Sequence, residues 1–160
     1  VDILRFNKTG FANLEFDEIS VLENYVYLWN IDGESWLKDW DMDPRGFTND
    51  PIDETKFKED LILINSLRLR AISPILKLKE NFGNNAKSMV TAVIDLFRDC
   101  DFSTKLSSLA EKLTDDSADF TLDALKSAYD QYINILSSLV RCYGEKTITI
   151  AEFSESLNLA

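Results

Sequence analysis

Three aspartates alternate in Asp39-Trp40-Asp41-Met42-Asp43-Pro44-Arg45-Gly46. Carboxylates on every second residue are how a calcium-binding loop begins, because they converge on one hard cation. The continuation departs from that chemistry: Pro44 stands sixth, where the sharp turn needs glycine, and Asp50 twelfth, where a glutamate supplies both oxygens. A solvated acidic loop is the expectation. A second grouping has the opposite sign. Lys56, Lys58, Arg68, Arg70, Lys77 and Lys79 face only Glu59 and Asp60 between residues 56 and 79, a local bias that could contact phosphates, with Arg68, Arg70, Lys77 and Lys79 as candidate DNA contacts. Helical positions turn by about 100° each, so Arg68 and Arg70 diverge by about 160°, as do Lys77 and Lys79. Ordinary surface charge is the competing reading. Tyr25, Tyr27, Trp29, Trp36 and Trp40 could stack on bases, but Tyr25 and Trp29 at i, i+4 fit a stripe buried against a neighbouring helix.

The inventory excludes much else. Histidine is absent from the 160 residues, so imidazole bases, Ser-His-Asp or Cys-His nucleophiles and histidine-ligated metals cannot be written. The five glycines are never closer than 13 residues, which leaves neither a dinucleotide fingerprint nor a phosphate loop. Cys100 and Cys142 are too few for a four-thiolate cluster and lack C-x-x-C spacing, so two reduced, buried thiols are expected. The 28 acidic side chains single out no pair for acid–base work. A net charge of −11 argues against a broad nucleic-acid or anionic-membrane footprint. The longest uncharged stretch, 131–140, holds ten residues, against roughly 20 for a bilayer crossing. A cytoplasmic chain with no membrane partner, no catalytic residue, no metal and no cofactor of its own is expected. Opening on Val1 and stopping at Ala160, soon after a capped helix begins, suggests a piece of something longer.

Helices must position whatever these residues do. Residues 2–8 read as a first helix stopped by Gly10. Asp17 is placed to cap a second, in which Ile19, Leu22, Val26 and Trp29 recur every three or four residues before Gly33. A turn over 34–40 leads into a polar loop reaching about 52. From 53 to 82 an apolar stripe repeats at helical spacing, about 40 Å of helix, which Pro74 should kink or split. Residues 86–97 and 103–113 read as shorter helices, the second capped by Ser103, with a joint over 114–117. Residues 119–143 form the last long helix, stopped by Gly144. Thr149-Ile150-Ala151-Glu152 is a capping box that starts a terminal helix at Ile150. Only 146–150 alternates like a short edge strand. The expected fold is all-α, an irregular bundle of six or more helices making a single domain over 1–160.

Two blocks carry a family resemblance. Asp2-Ile3-Leu4-Arg5-Phe6-Asn7-Lys8-Thr9-Gly10-Phe11 and Glu18-Ile19-Ser20-Val21-Leu22-Glu23-Asn24-Tyr25-Val26-Tyr27-Leu28-Trp29-Asn30-Ile31-Asp32-Gly33-Glu34-Ser35-Trp36 resemble the AddB/RexB subunit of bacterial AddAB-type helicase-nucleases. There the pattern reads F-R-Y-L-K-T-G-L, then D-x-L-E-N-Y-V-L-x-x-G-I-x-G-x-x-W. Arg5, Lys8, Gly10, Leu22, Glu23, Asn24, Tyr25 and Trp36 are the signature positions. Residues 68–78 resemble the family's R-x-x-x-x-x-P-L helix, and 148–153 its stretch ending in E-F. Asn7 stands where leucine is usual, Asn30 replaces the glycine before Ile31, and residues 36–52 do not align.

The resemblance implies a helical subdomain inserted in the second helicase-like lobe of a longer subunit. In that family ATP with magnesium, the nuclease and an iron–sulfur cluster belong to other parts of the complex, and unwound DNA is guided past a site that inspects it for a recombination signal. The implied role is a non-catalytic one in double-strand-break processing and recombinational repair, with an AddA-like helicase-nuclease subunit as partner and DNA met through the parent complex. The rival reading, from charge alone, is a freestanding acidic helical protein that binds a basic partner as a DNA mimic or adaptor.

Overall fold

The structure, a computed structural model, describes residues 2–48, 51, 53–114 and 119–158; for 113, 114 and 119–122 it describes the backbone alone. Among these are seven α-helices: α1 (Asp2–Asn7), α2 (Phe16–Leu28), α3 (Glu54–Asn81), α4 (Ala86–Asp99), α5 (Phe102–Thr114), α6 (Asp119–Tyr143) and α7 (Ile150–Asn158), with a 3₁₀ turn over Gly33–Leu37. The all-α architecture stands. The alternating segment 146–150 is not an edge strand. It makes one isolated antiparallel bridge, Asn85 with Thr147, and one further bond from the Ile148 N–H to the Asn84 carbonyl (3.0 Å). The chain then turns helical at Ile150, leaving no length for a ladder.

Several helix ends are where the residues place them. Thr149 and Glu152 form the reciprocal cap: Glu152 Oε2 accepts the Thr149 N–H at 2.7 Å, and Thr149 Oγ1 accepts the Glu152 N–H at 3.2 Å. Gly144 takes φ +56° and closes α6 through an N–H to the Val140 carbonyl (2.8 Å). Two caps differ from expectation. Asp17 lies inside the first turn of α2, and the residue before the helix is Glu15, whose N–H is taken by the Glu18 carboxylate at 2.9 Å. Ser103 lies inside α5; Asp101, at φ +51°, precedes it and its carbonyl accepts the Lys105 N–H at 3.0 Å. Pro74 does not split α3, which runs on to Asn81. Of the joint expected over 114–117, Thr114 is the last residue of α5 and 115–117 lie outside the described residues.

The chain divides into two compact units, Val1–Pro74 and Ile75–Ala160, with the boundary at the proline of α3. In the first, Leu4 and Leu14 bury with Ile19, Leu22, Tyr25 and Val26 of α2, Trp36 and Trp40, and Ile64, Leu67 and Ala71 of α3. In the second, α4 packs on α5 and α6, and α7 on α6. Its core joins Ala86, Met89, Val90 and Val93 of α4 to Leu136 and Leu139 of α6, with Ile148 and Phe153. On α4 and α6 those positions recur every three or four residues, so each of these two helices presents one apolar face.

Candidate functional site

The first unit has a cation at its centre. Arg68 of α3 is 2% exposed. Its guanidinium donates to the Trp36 carbonyl (2.9 Å), to Asn65 Oδ1 (3.1 Å) and to the Asp39 carboxylate, and lies 5.8 Å from the centre of the Trp40 ring. Asn65 completes the clamp. Its Oδ1 accepts the Trp40 N–H (2.9 Å) while its Nδ2 donates to the Trp40 carbonyl (2.8 Å), so one amide holds both backbone groups of a loop residue. A buried polar backbone must find such partners.

Aromatic side chains pin the rest of that loop. Tyr25 stacks on Trp40 (centroids 5.0 Å apart, 9° between planes), and Trp36 meets Trp40 edge-on at 5.3 Å. The Tyr25 hydroxyl donates to the Met42 carbonyl (3.1 Å) and Trp29 Nε1 to the Asp43 carbonyl (3.2 Å). Burial pushes the Tyr25 phenol above its ordinary value, with Asp41 and Asp43 adding to the rise. The acidic loop is therefore fastened through its backbone, while the Asp39 and Asp41 side chains stay exposed to solvent as the sequence leads one to expect. Its aspartates also do not gather around a cation site: Asp39 turns to Arg68, and Asp43 to Arg45 (2.7 Å), which holds the Asp43 carboxyl below its usual range.

Two of the signature residues pair with each other and three are buried in the first unit. Lys8 and Glu23, one from each resembling block, form an ion pair in which the lysine holds the carboxyl down. Leu22 is wholly buried, Tyr25 and Trp36 are buried, Asn24 is exposed, and Arg5 reaches Asp2 at 3.8 Å on the surface. Gly10, the last but one residue of the first block, sits at φ +79°. Asn30, in place of the family's glycine, takes φ +49°, a backbone that glycine or asparagine tolerates best. Asn7, in place of leucine, is wholly buried; its Nδ2 donates to the Ile3 (2.8 Å) and Ala71 (3.2 Å) carbonyls, and its Oδ1 has no partner.

The four candidate DNA contacts do not form one ridge. Arg68 is withdrawn from that role, because its donors point into the protein and leave no solvent-facing edge for a phosphate. Arg70 donates to the Asn13 carbonyl at 2.7 Å and is clamped by Glu18, and its hydrogen bond to that carboxylate holds the Glu18 carboxyl low. Lys77 pairs with Asp99 at 2.9 Å, and Lys79 is exposed in the last turn of α3. Of the aromatic set, Tyr25, Trp36 and Trp40 are buried and Tyr27 is exposed. Of the thiols, Cys100 is buried and burial raises its pKa, whereas Cys142 is exposed on α6, correcting the expectation of two buried thiols. It lies on a groove of about 580 Å³ beside α7, where no further described helix covers it.

Residue types and spacing missed Asp39 and Asn65. Asn65 carried a signal, a polar side chain three residues before Arg68 in an apolar stripe, but only the fold shows what the two hold. Beside them opens a shallow groove of about 660 Å³, lined by Asp39, Trp40, Lys58, Leu61, Ile62, Asn65, Ser66 and Leu69. No described helix is long and apolar enough to cross a membrane.

The arrangement is that of a helical scaffold whose polar groups are occupied in holding its own backbone. The chain is 29% identical over 164 aligned residues to the AddB-type subunit of the ATP-dependent helicase/deoxyribonuclease of Clostridium botulinum strain Langeland. It is 27% identical to the corresponding subunit from Alkaliphilus oremlandii and 24% to that of Caldanaerobacter subterraneus. These alignments take in 97–98% of the chain and 14% of each relative. No family model matches. The chain is thus similar, over nearly its whole length, to one segment of the AddB-type helicase/deoxyribonuclease subunit.

Proposed function

We propose that the chain is a non-catalytic helical segment of an AddB-type ATP-dependent helicase/deoxyribonuclease subunit, acting in the cytoplasm in double-strand-break processing and recombinational DNA repair. It braces the parent subunit's DNA path and contributes contact surface to an AddA-like partner. The observation that carries this reading is the match of 97% of the chain to 14% of its relatives. The burial of Leu22, Tyr25 and Trp36 in the first unit's core supports it, because a brace needs packing where an enzyme needs a cleft with free groups. ATP with magnesium, the iron–sulfur cluster and the nuclease are assigned to other parts of the parent, and DNA is met through the assembled complex. With Arg68 buried and Arg70 and Lys77 paired, independent single-strand binding by this segment is expected to be weak and steeply salt-dependent.

The test is a pull-down of the chain with the AddA-like subunit, alongside nucleotide-hydrolysis and magnesium-dependent nuclease assays on the chain alone. Association with both assays blank is the expected result. Loss of association removes the contact role, and cleavage or hydrolysis by the isolated chain overturns the non-catalytic reading.

A further inference from the structure

A hydrophobic surface stands at the C-terminal end of α2. Phe47 is 83% exposed and lies against Trp29 (centroids 4.7 Å apart, 51° between planes), beside the exposed Leu28 and Met42. Two of its members are held by hydrogen bonds and Phe47 by its ring contact with Trp29. Trp29 Nε1 is tied to the Asp43 carbonyl, Met42 is fixed through its carbonyl to Tyr25, and the Asp43–Arg45 pair braces the turn before Gly46. Gly46, at φ +84°, sits so close to Leu28 that a Cβ there would come within 2.9 Å of its Cδ2. The left-handed backbone at Gly46, which L side chains rarely adopt, shapes the turn that presents Phe47. Phe47 rests on the Trp29 ring and leaves most of its own surface to solvent.

Charge says what covers it. Asp32, Glu34 and Asp41 are exposed around this end of the unit, with Lys38 as the one exposed lysine between residues 28 and 48, while Arg45 is engaged by Asp43. The last turn of α2 holds no basic side chain, so the negative end of its dipole adds to these carboxylates. Such a rim repels phosphate, in nucleic acid or lipid, and repels a second copy, since a two-fold contact would face the same carboxylates to themselves in a chain of net charge −11.

We propose that the surface formed by Leu28, Trp29, Met42 and Phe47 docks an amphipathic protein segment carrying lysine or arginine beside apolar side chains, the carboxylates meeting its cations while Phe47 and Trp29 take its apolar face. It does not rest on the parent-subunit reading, since a freestanding protein with this face would take the same ligand.

The test uses the 160-residue chain and a fluorescein-labelled helical peptide of leucine and lysine with one apolar face, followed by anisotropy at physiological salt. Two further probes are a peptide of the same composition scrambled to abolish the apolar face, and single-stranded oligothymidylate. The amphipathic peptide should bind, the scrambled one at least about tenfold more weakly, and the oligonucleotide should neither bind nor compete. Phe47→Ser should cost about tenfold or more, Met42→Ser and the Asp32→Asn/Asp41→Asn pair several-fold, and Asp123→Asn/Asp130→Asn on α6 nothing. Phe47 and Met42 are exposed, and unchanged circular dichroism is expected in their variants. The inference fails if Phe47→Ser binds like the parent chain, if the scrambled peptide binds equally well, if the α6 pair weakens binding as much as the Asp32/Asp41 pair, or if oligothymidylate displaces the peptide.

Discussion

The two units reach stability by different chemistry. Ile75–Ala160 has the economy of a helical bundle: apolar stripes on α4, α6 and α7 meet, and its core cluster is entirely hydrophobic. Val1–Pro74 has a long irregular segment to hold, described over residues 38–48, and holds it with a buried guanidinium, a bifunctional amide and aromatic rings. The difference teaches where sequence change is tolerated. A bundle core accepts any apolar side chain of similar volume, whereas the Arg68–Asn65–Trp40 clamp needs those donors and acceptors in those places.

All three tryptophans, Trp29, Trp36 and Trp40, lie in the first unit, so their fluorescence reports on it while circular dichroism reports on every helix. The largest effect is expected from Arg68→Ala. It strips the Trp36 carbonyl and Asn65 of their buried partner and leaves a void, a cost of about 3 kcal/mol or more, and denaturant titration should show the tryptophan midpoint moving more than the helical one. Leu136→Ala, which opens a cavity in the second unit's core, should cost about 3 kcal/mol with the opposite order of midpoints. Equal shifts of both probes in both variants would break the contrast between units. Asn7→Leu removes a buried carbonyl oxygen that has no partner, at the cost of two amide bonds to carbonyls. A gain of up to about 1 kcal/mol in the tryptophan-reported transition is expected.

Acid gives the smallest effect. Glu18, Glu23 and Asp43 in the first unit, and Glu152 in the second, are held below their ordinary values: Glu18 by Arg70, Glu23 by Lys8, Asp43 by Arg45, and Glu152 by the Thr149 cap. A lowered folded-state value gives stability that is full above the ordinary carboxylate range and is lost as pH falls through the folded value. Below about pH 4 the tryptophan signal should therefore decline before the helical signal of the second unit. Glu18→Gln should flatten that decline, since it removes one of the three contributing carboxylates.

The residues alone determined the helices. Periodicity, the Thr149/Glu152 box and Gly144 gave α6 and the start of α7 at their observed bounds, because helix formation and termination are local chemistry acting within a turn or two. The left-handed backbone at Asn30, where the resembled pattern has glycine, came only from the structure. What only the tertiary structure decided was the use of polar groups across long separations. Arg68 and Asp39 are 29 residues apart and Arg70 and Glu18 are 52 apart, and nothing in local spacing says whether a cation on a helix will face water or its own protein. That choice depends on which backbone carbonyls the fold leaves buried without a donor. Here it turned a candidate phosphate contact into the peg that fastens a loop.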